Sequence, residues 1–206
     1  MILPPQERNI SPKSFSPDGH RLAYHVTNAS SNYDIETVTL DTTDPDRPKP
    51  GQPEPFLATS ADELLPVFSP DGRWIAYRSN ETGTNEVYVR PYPPARGGKW
   101  QISSGGGLYS VWSHNGPELF YETADNRIMV VDYKVSGDSF VPGKARLWSG
   151  KPIFYAGNSN LTLAPDGKRF AVLLQPENVG IENGTVRITL LLNFLDELRR
   201  RIPQPR

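Results

Sequence analysis

The residues able to do chemistry are few and scattered along the chain. The 206 residues include no cysteine and only three histidines, His20, His25 and His114. This excludes disulfides, thiolate metal sites and a cysteine nucleophile. No two histidines stand at ligand spacing and no His-x-Glu-x-x-His occurs, so no metal site is expected and no cofactor is implied. The nearest approach to a serine nucleophile elbow, Gly157-Asn-Ser-Asn-Leu161, has Leu where the second Gly must allow close packing, and reads as a connecting turn. Neighbouring carboxylates, Asp62 with Glu63 and Glu81 with Glu86, have the groups for acid and base work but read as solvated loop residues. Gly105-Gly-Gly107 lacks a following Lys-Ser/Thr and a helix, so it reads as a link between units rather than a phosphate loop. Asp41, Asp44 and Asp46 lack the Gly and distal Glu of a calcium loop.

Charge narrows the partners. Lys plus Arg total 22 against 23 Asp plus Glu, so nothing draws the chain to phosphate backbones, and the rings of Trp74, Tyr88, Tyr92 and Trp100 read as packing rather than base-stacking platforms. Nucleic acid is not expected as a partner. No stretch approaches the roughly 20 apolar residues of a membrane span, so membrane insertion is not expected. The sequence leaves the compartment open.

The elements that must position any site are set by repetition. Four segments align: Phe15-Ser-Pro-Asp-Gly19-His-Arg-Leu-Ala-Tyr24, Phe68-Ser-Pro-Asp-Gly72-Arg-Trp-Ile-Ala-Tyr77, Trp112-Ser-His-Asn-Gly116-Pro-Glu-Leu-Phe-Tyr121 and Leu163-Ala-Pro-Asp-Gly167-Lys-Arg-Phe-Ala-Val172. Their glycines lie 53, 44 and 51 residues apart. Pro presets one turn dihedral, Asp accepts local backbone bonds and Gly takes positive φ, so each copy predicts a hairpin. The apolar triplets that follow predict a central buried strand.

Further strands are expected at 34–40, 86–90, 128–133 and 186–192, an inner one at 108–112, and outer ones at 55–59, 99–103 and 145–149. The segment 41–54, with four prolines and three aspartates, is expected to be a surface loop. A four-strand antiparallel unit every 40 to 50 residues predicts an all-β propeller of about four blades in one domain, near 8–59, 60–103, 104–149 and 150–194. Leu191, Leu195, Leu198 and Ile202 recur at helical spacing and predict a short C-terminal helix over 194–202.

The second copy, continued by Ser79-Asn-Glu-Thr-Gly83 and Asn85-Glu-Val-Tyr-Val-Arg-Pro-Tyr92, resembles the repeat of TolB-like, WD-repeat-like propellers. Gly97-Gly-Lys-Trp-Gln-Ile-Ser103, Glu118-Leu-Phe-Tyr121 and Leu191-Leu-Asn-Phe-Leu-Asp-Glu-Leu198 resemble the propeller tail of bacterial serine/threonine kinases. Neither a kinase glycine-rich loop nor an H-R-D or D-F-G segment occurs, so kinase activity is not implied. The resemblance implies a non-catalytic protein- or peptide-binding or sensor scaffold. Its alternative is a propeller that gates substrate within a larger kinase or prolyl-oligopeptidase-like hydrolase. Such propellers have six or more blades, so open blade faces and association of copies are expected. Candidate contact residues are Arg78, Asn80, Glu81, Asn85 and Tyr109, on loops beside the strands.

Overall fold

Each Ser-Pro-Asp-Gly copy folds as a corner because its own polar groups close it. In the second, the Ser69 hydroxyl donates to Asp71 Oδ1 at 2.6 Å, the same oxygen accepts Arg73 N–H at 3.1 Å, and Gly72 N–H reaches Ser69 C=O at 2.9 Å. Gly19, Gly72 and Gly167 stand at φ 74°, 71° and 67°, where a side chain is strained. Gly116 does not take this conformation: Asn115 N–H bonds to Ser113 Oγ, and Glu118 N–H to the carbonyl of Gly116 itself. The register is nevertheless the same at all four corners, pairing Phe15 with Leu22, Phe68 with Ile75, Trp112 with Leu119 and Leu163 with Phe170.

The computed structural model describes residues 8–27, 33–44, 46–94, 98–150, 152–153 and 161–172, all within one compact unit, Met1–Gln175. A first antiparallel sheet runs in order through β1 (Ile10–Phe15), β2 (Arg21–Thr27), β3 (Tyr33–Asp41) and β4 (Lys49–Leu57). The second is β5 (Glu63–Phe68), β6 (Trp74–Ser79), β7 (Glu86–Pro91) and β8 (Trp100–Gln101). The third holds β9 (Ser110–Trp112), β10 (Glu118–Glu122), β11 (Ile128–Ser136), β12 (Ser139–Pro142) and β13 (Arg146–Ser149). β14 (Leu161–Leu163) and β15 (Phe170–Val172) form a fourth hairpin. The expected strand 186–192 and helix 194–202 lie outside the described residues, as does most of 157–161.

Three expectations are corrected. Residues 49–54, expected as loop, are strand: β4 pairs with β3 from Asp41↔Lys49 to Ile35↔Leu57. Three prolines lie on it, Pro50, Pro53 and Pro55, which β4 tolerates because, among the described residues, it is the edge strand of its sheet. In the third sheet β11 is long enough to pair β13 along its first half and β12 along its second, so this sheet has five strands rather than four. The inner strand is also shorter than expected, starting at Ser110 rather than 108.

The sheets pack face to face through the strands that read as continuous apolar runs. Alternate residues of each face opposite neighbours, so both sets are buried. Ile75 and Tyr77 of β6 join Ala23, Ile35 and Phe56 of the first sheet. Trp74 and Ala76 join Trp112, Leu119, Tyr121 and Phe140 of the third. Phe120, Ile128 and Val130 join Ile153 and Leu161. On the other face of the first sheet Tyr24, Val26 and Val38 are also fully buried, so the apolar patch expected at an open blade face is not exposed there. The triplet of the fourth copy, Phe170 to Val172, is only partly buried.

Candidate functional site

Opposite the proline corners, the second sheet presents the tight turn 80–85, which holds three of the five expected contact residues. Asn80 closes the turn by accepting Gly83 N–H on its carbonyl at 2.8 Å. Its side chain clips the turn to the start of β5, accepting Asp62 N–H at 2.8 Å and donating to Asp62 Oδ2 at 3.0 Å. Asn85 C=O accepts Gly107 N–H at 2.8 Å and so ties the other end of the turn to the link that leads into the third sheet. Between these anchors Glu81, Thr82, Thr84 and Asn85 are exposed. The Glu81 carboxylate pairs with Lys99 Nζ at 2.5 Å, and that ammonium stands 5.3 Å from the centre of the Tyr88 ring.

Arg78 and Tyr109 stand differently. Tyr109 is buried, and its carbonyl accepts Glu122 N–H at 2.9 Å. Arg78 is half-buried on β6, and its Nε reaches no acceptor. Counted from the corner glycine, Arg78 is equivalent to His25 and Glu122. Parity along the strand points each toward the next sheet, and for His25 the contact is explicit, because its Nδ1 accepts Leu65 N–H of β5 at 3.3 Å. Accepting that bond requires a neutral ring. Burial, with Lys13 and Arg78 nearby, lowers the His25 pKa to about 4.

The acidic residues of this end correct the sequence reading, since Glu63 and Glu86 are buried rather than solvated. Glu63 accepts the hydroxyl and, at 3.3 Å, the N–H of Thr59, while burial pushes its carboxyl up. Glu86 takes the Gly105 and Gly106 N–H groups on Oε1 at 2.8 and 3.0 Å and the Ser103 hydroxyl on Oε2. The first two of the three glycines therefore cradle a carboxyl group, one supplied by the chain itself. A Cβ on Gly106 would stand 2.8 Å from that of Ala124, and one on Gly107 2.2 Å from Ser103 Oγ, which is why both positions lack side chains. The only sequence signal was a Glu opening an apolar strand. Its partners come from a different link, 17 to 20 residues on.

Glu122 is fully buried and neither carboxylate oxygen meets a donor. Burial alone raises its pKa to about 7. These groups do not converge as a reaction centre. Among the described residues no three His, Cys, Asp or Glu side chains stand close enough to share a metal ion, and no helix is long and apolar enough to cross a membrane.

Successive antiparallel sheets, two of four strands and one of five, each opening on a corner of common register and packed face to face, define a β-propeller. The fold is TolB-like: the chain is similar to the structure of putative TolB from Agrobacterium tumefaciens, with a TM-score of 0.55 at 18% identity over 85% of this chain. It spans 60% of that protein's length. TolB from Acinetobacter baumannii matches at a TM-score of 0.46 and 14% identity, over 80% of this chain and 43% of its own. No family model matches the sequence, and no curated protein does.

Proposed function

We propose that the chain is a non-catalytic scaffold that binds protein or peptide segments on the loop rim of its propeller. The turn 80–85 carries this reading. It is locked at both ends by cross-strand and cross-sheet hydrogen bonds, yet it presents exposed polar side chains. A turn so held loses little freedom on binding, so its contacts are not offset by ordering. In this reading Glu81 and Asn85 contact the ligand and Asn80 holds the turn, with Arg78 and Tyr109 behind it on the strand side. The TolB-like propeller fold supports a scaffold at the coarse level.

The test is a randomised peptide array probed with the whole chain. The expected result is retention of a subset of peptides without cleavage, weakened at least about fivefold, near 1 kcal/mol, by the double substitution E81A/N85A. Peptide or ester turnover abolished by one Ser or His substitution would overturn the reading, and so would the absence of any retained peptide.

A further inference from the structure

At the opposite end of the sheets the first two proline corners lean on each other and enclose a cleft of about 390 Å³. Pro17, Asp18, Arg21, Asp71, Gly72 and Tyr92 form its walls. A Cβ on Gly72 would lie 3.4 Å from Pro17 Cδ, so the two corners are in close contact.

The four corners offer an internal comparison, because one position, two residues after the corner Ser or Ala, is Asp18, Asp71, Asn115 and Asp166 in turn. At Asp18, Oδ1 is used by the Ser16 hydroxyl and His20 N–H; at Asp71, by the Ser69 hydroxyl and Arg73 N–H. In neither does Oδ2 receive a hydrogen bond from a described residue. At the third corner the position is an uncharged Asn, whose Nδ2 donates to Pro165 C=O at 2.5 Å. At the fourth, Asp166 Oδ2 is taken by Arg169 Nε at 2.7 Å. Among the described residues, therefore, only the first two corners keep a carboxylate oxygen without a protein donor; both aspartates are exposed, and both line the same cleft.

The cation already present does not answer them. Arg21 donates Nη1 to Glu54 at 2.7 Å and to Thr37 Oγ1 at 3.3 Å, and its guanidinium lies 5.6 Å from the centre of the Tyr92 ring. His20 holds Thr42 Oγ1 through Nδ1 at 3.1 Å. The cleft thus keeps a net negative character beside an aromatic wall.

We propose that this cleft receives the cationic side chain, Arg or Lys, of a bound peptide, with Asp18 and Asp71 as its two anchoring carboxylates. This rests on reading the chain as a peptide-binding scaffold and assigns that scaffold a specificity. The hydrogen bonds from Ser16 and His20 hold the Asp18 carboxyl below the usual carboxylate range, so it stays charged. A cationic side chain in the cleft would be drawn by both carboxylates, and that attraction is screened by salt.

The experiment titrates the isotope-labelled whole chain with acetyl-Gly-Arg-Gly-amide and, separately, acetyl-Gly-Glu-Gly-amide, following backbone amide resonances. The expected result is saturable shifts confined to residues 18–21 and 71–73 with the arginine peptide and none with the glutamate peptide. D18N/D71N keeps each Oδ1 acceptor, and so the turns; it should weaken binding about tenfold, near 1.4 kcal/mol, whereas D166N should leave it unchanged. Equal response to both peptides, or equal affinity in D18N/D71N, would overturn the proposal. If array peptides still bind through residues 81 and 85 while the arginine peptide does not, the specificity fails and the scaffold reading stands. If neither binds, both fail.

Discussion

Glu122 and His25 occupy one repeat position yet set opposite limits on stability. A carboxyl held near 7 in the folded chain, against 4.5 when free, keeps its proton better folded than unfolded, so stability falls as pH rises from 4.5 to 7. The imidazole runs the other way: free it protonates near 6.5, folded only near 4, so stability falls as pH drops through that window. We predict that the stability difference between E122Q and the parent, from urea unfolding, shifts in favour of the variant by up to about 3 kcal/mol between pH 4.5 and pH 8. An unchanged difference would show that the carboxyl reaches water. For His25, imidazole carbon shifts should titrate near 4, and H25Q should remove a comparable part of the stability lost in acid.

At the scale of the strand and turn, Asn80 is a clip whose loss leaves Asp62 N–H without its acceptor. N80A is expected to cost about 1–3 kcal/mol, and hydrogen exchange of the 80–85 amides should accelerate more than that of β6. The corners were legible in the sequence because everything that closes them lies within about six residues, from Ser16 to Arg21 or Ser69 to Trp74. The buried strands were legible because Leu22-Ala23-Tyr24 and its copies are apolar on both parities. Strand β4 was not, since prolines signal a loop unless it is known that their nitrogens face away from the partner strand. The hairpin β11–β12 turns at Ser136–Ser139 through Gly137 at φ 59°, a signal present in the sequence but masked by the exposed, polar residues around it. Of the site, residues 80–85 were legible as a polar turn. The sharing of one cleft by Asp18 and Asp71 was not, because they line it together only when two sheets stack.

Across the molecule, sheets two and three are held by aromatic rings that converge on Phe140 of a short outer strand. Its ring centroid lies 4.7 Å from Tyr133, 5.3 Å from Trp74, 5.9 Å from Trp100 and 6.0 Å from Trp112. F140A should cost about 3–5 kcal/mol. V141A, next along the strand and 48% exposed, should stay within about 0.5 kcal/mol. Equal losses of thermal stability in the two would mean that the side chains at 140 and 141 contribute alike.

The prolines of β4 reach beyond the sheet they border. A strand of another molecule laid along that margin would find carbonyl acceptors but no amide hydrogen at 50, 53 or 55. Fibril growth from this side is thereby starved of cross-strand bonds, and the chain should stay dispersed at concentrations where an unguarded margin would seed polymer.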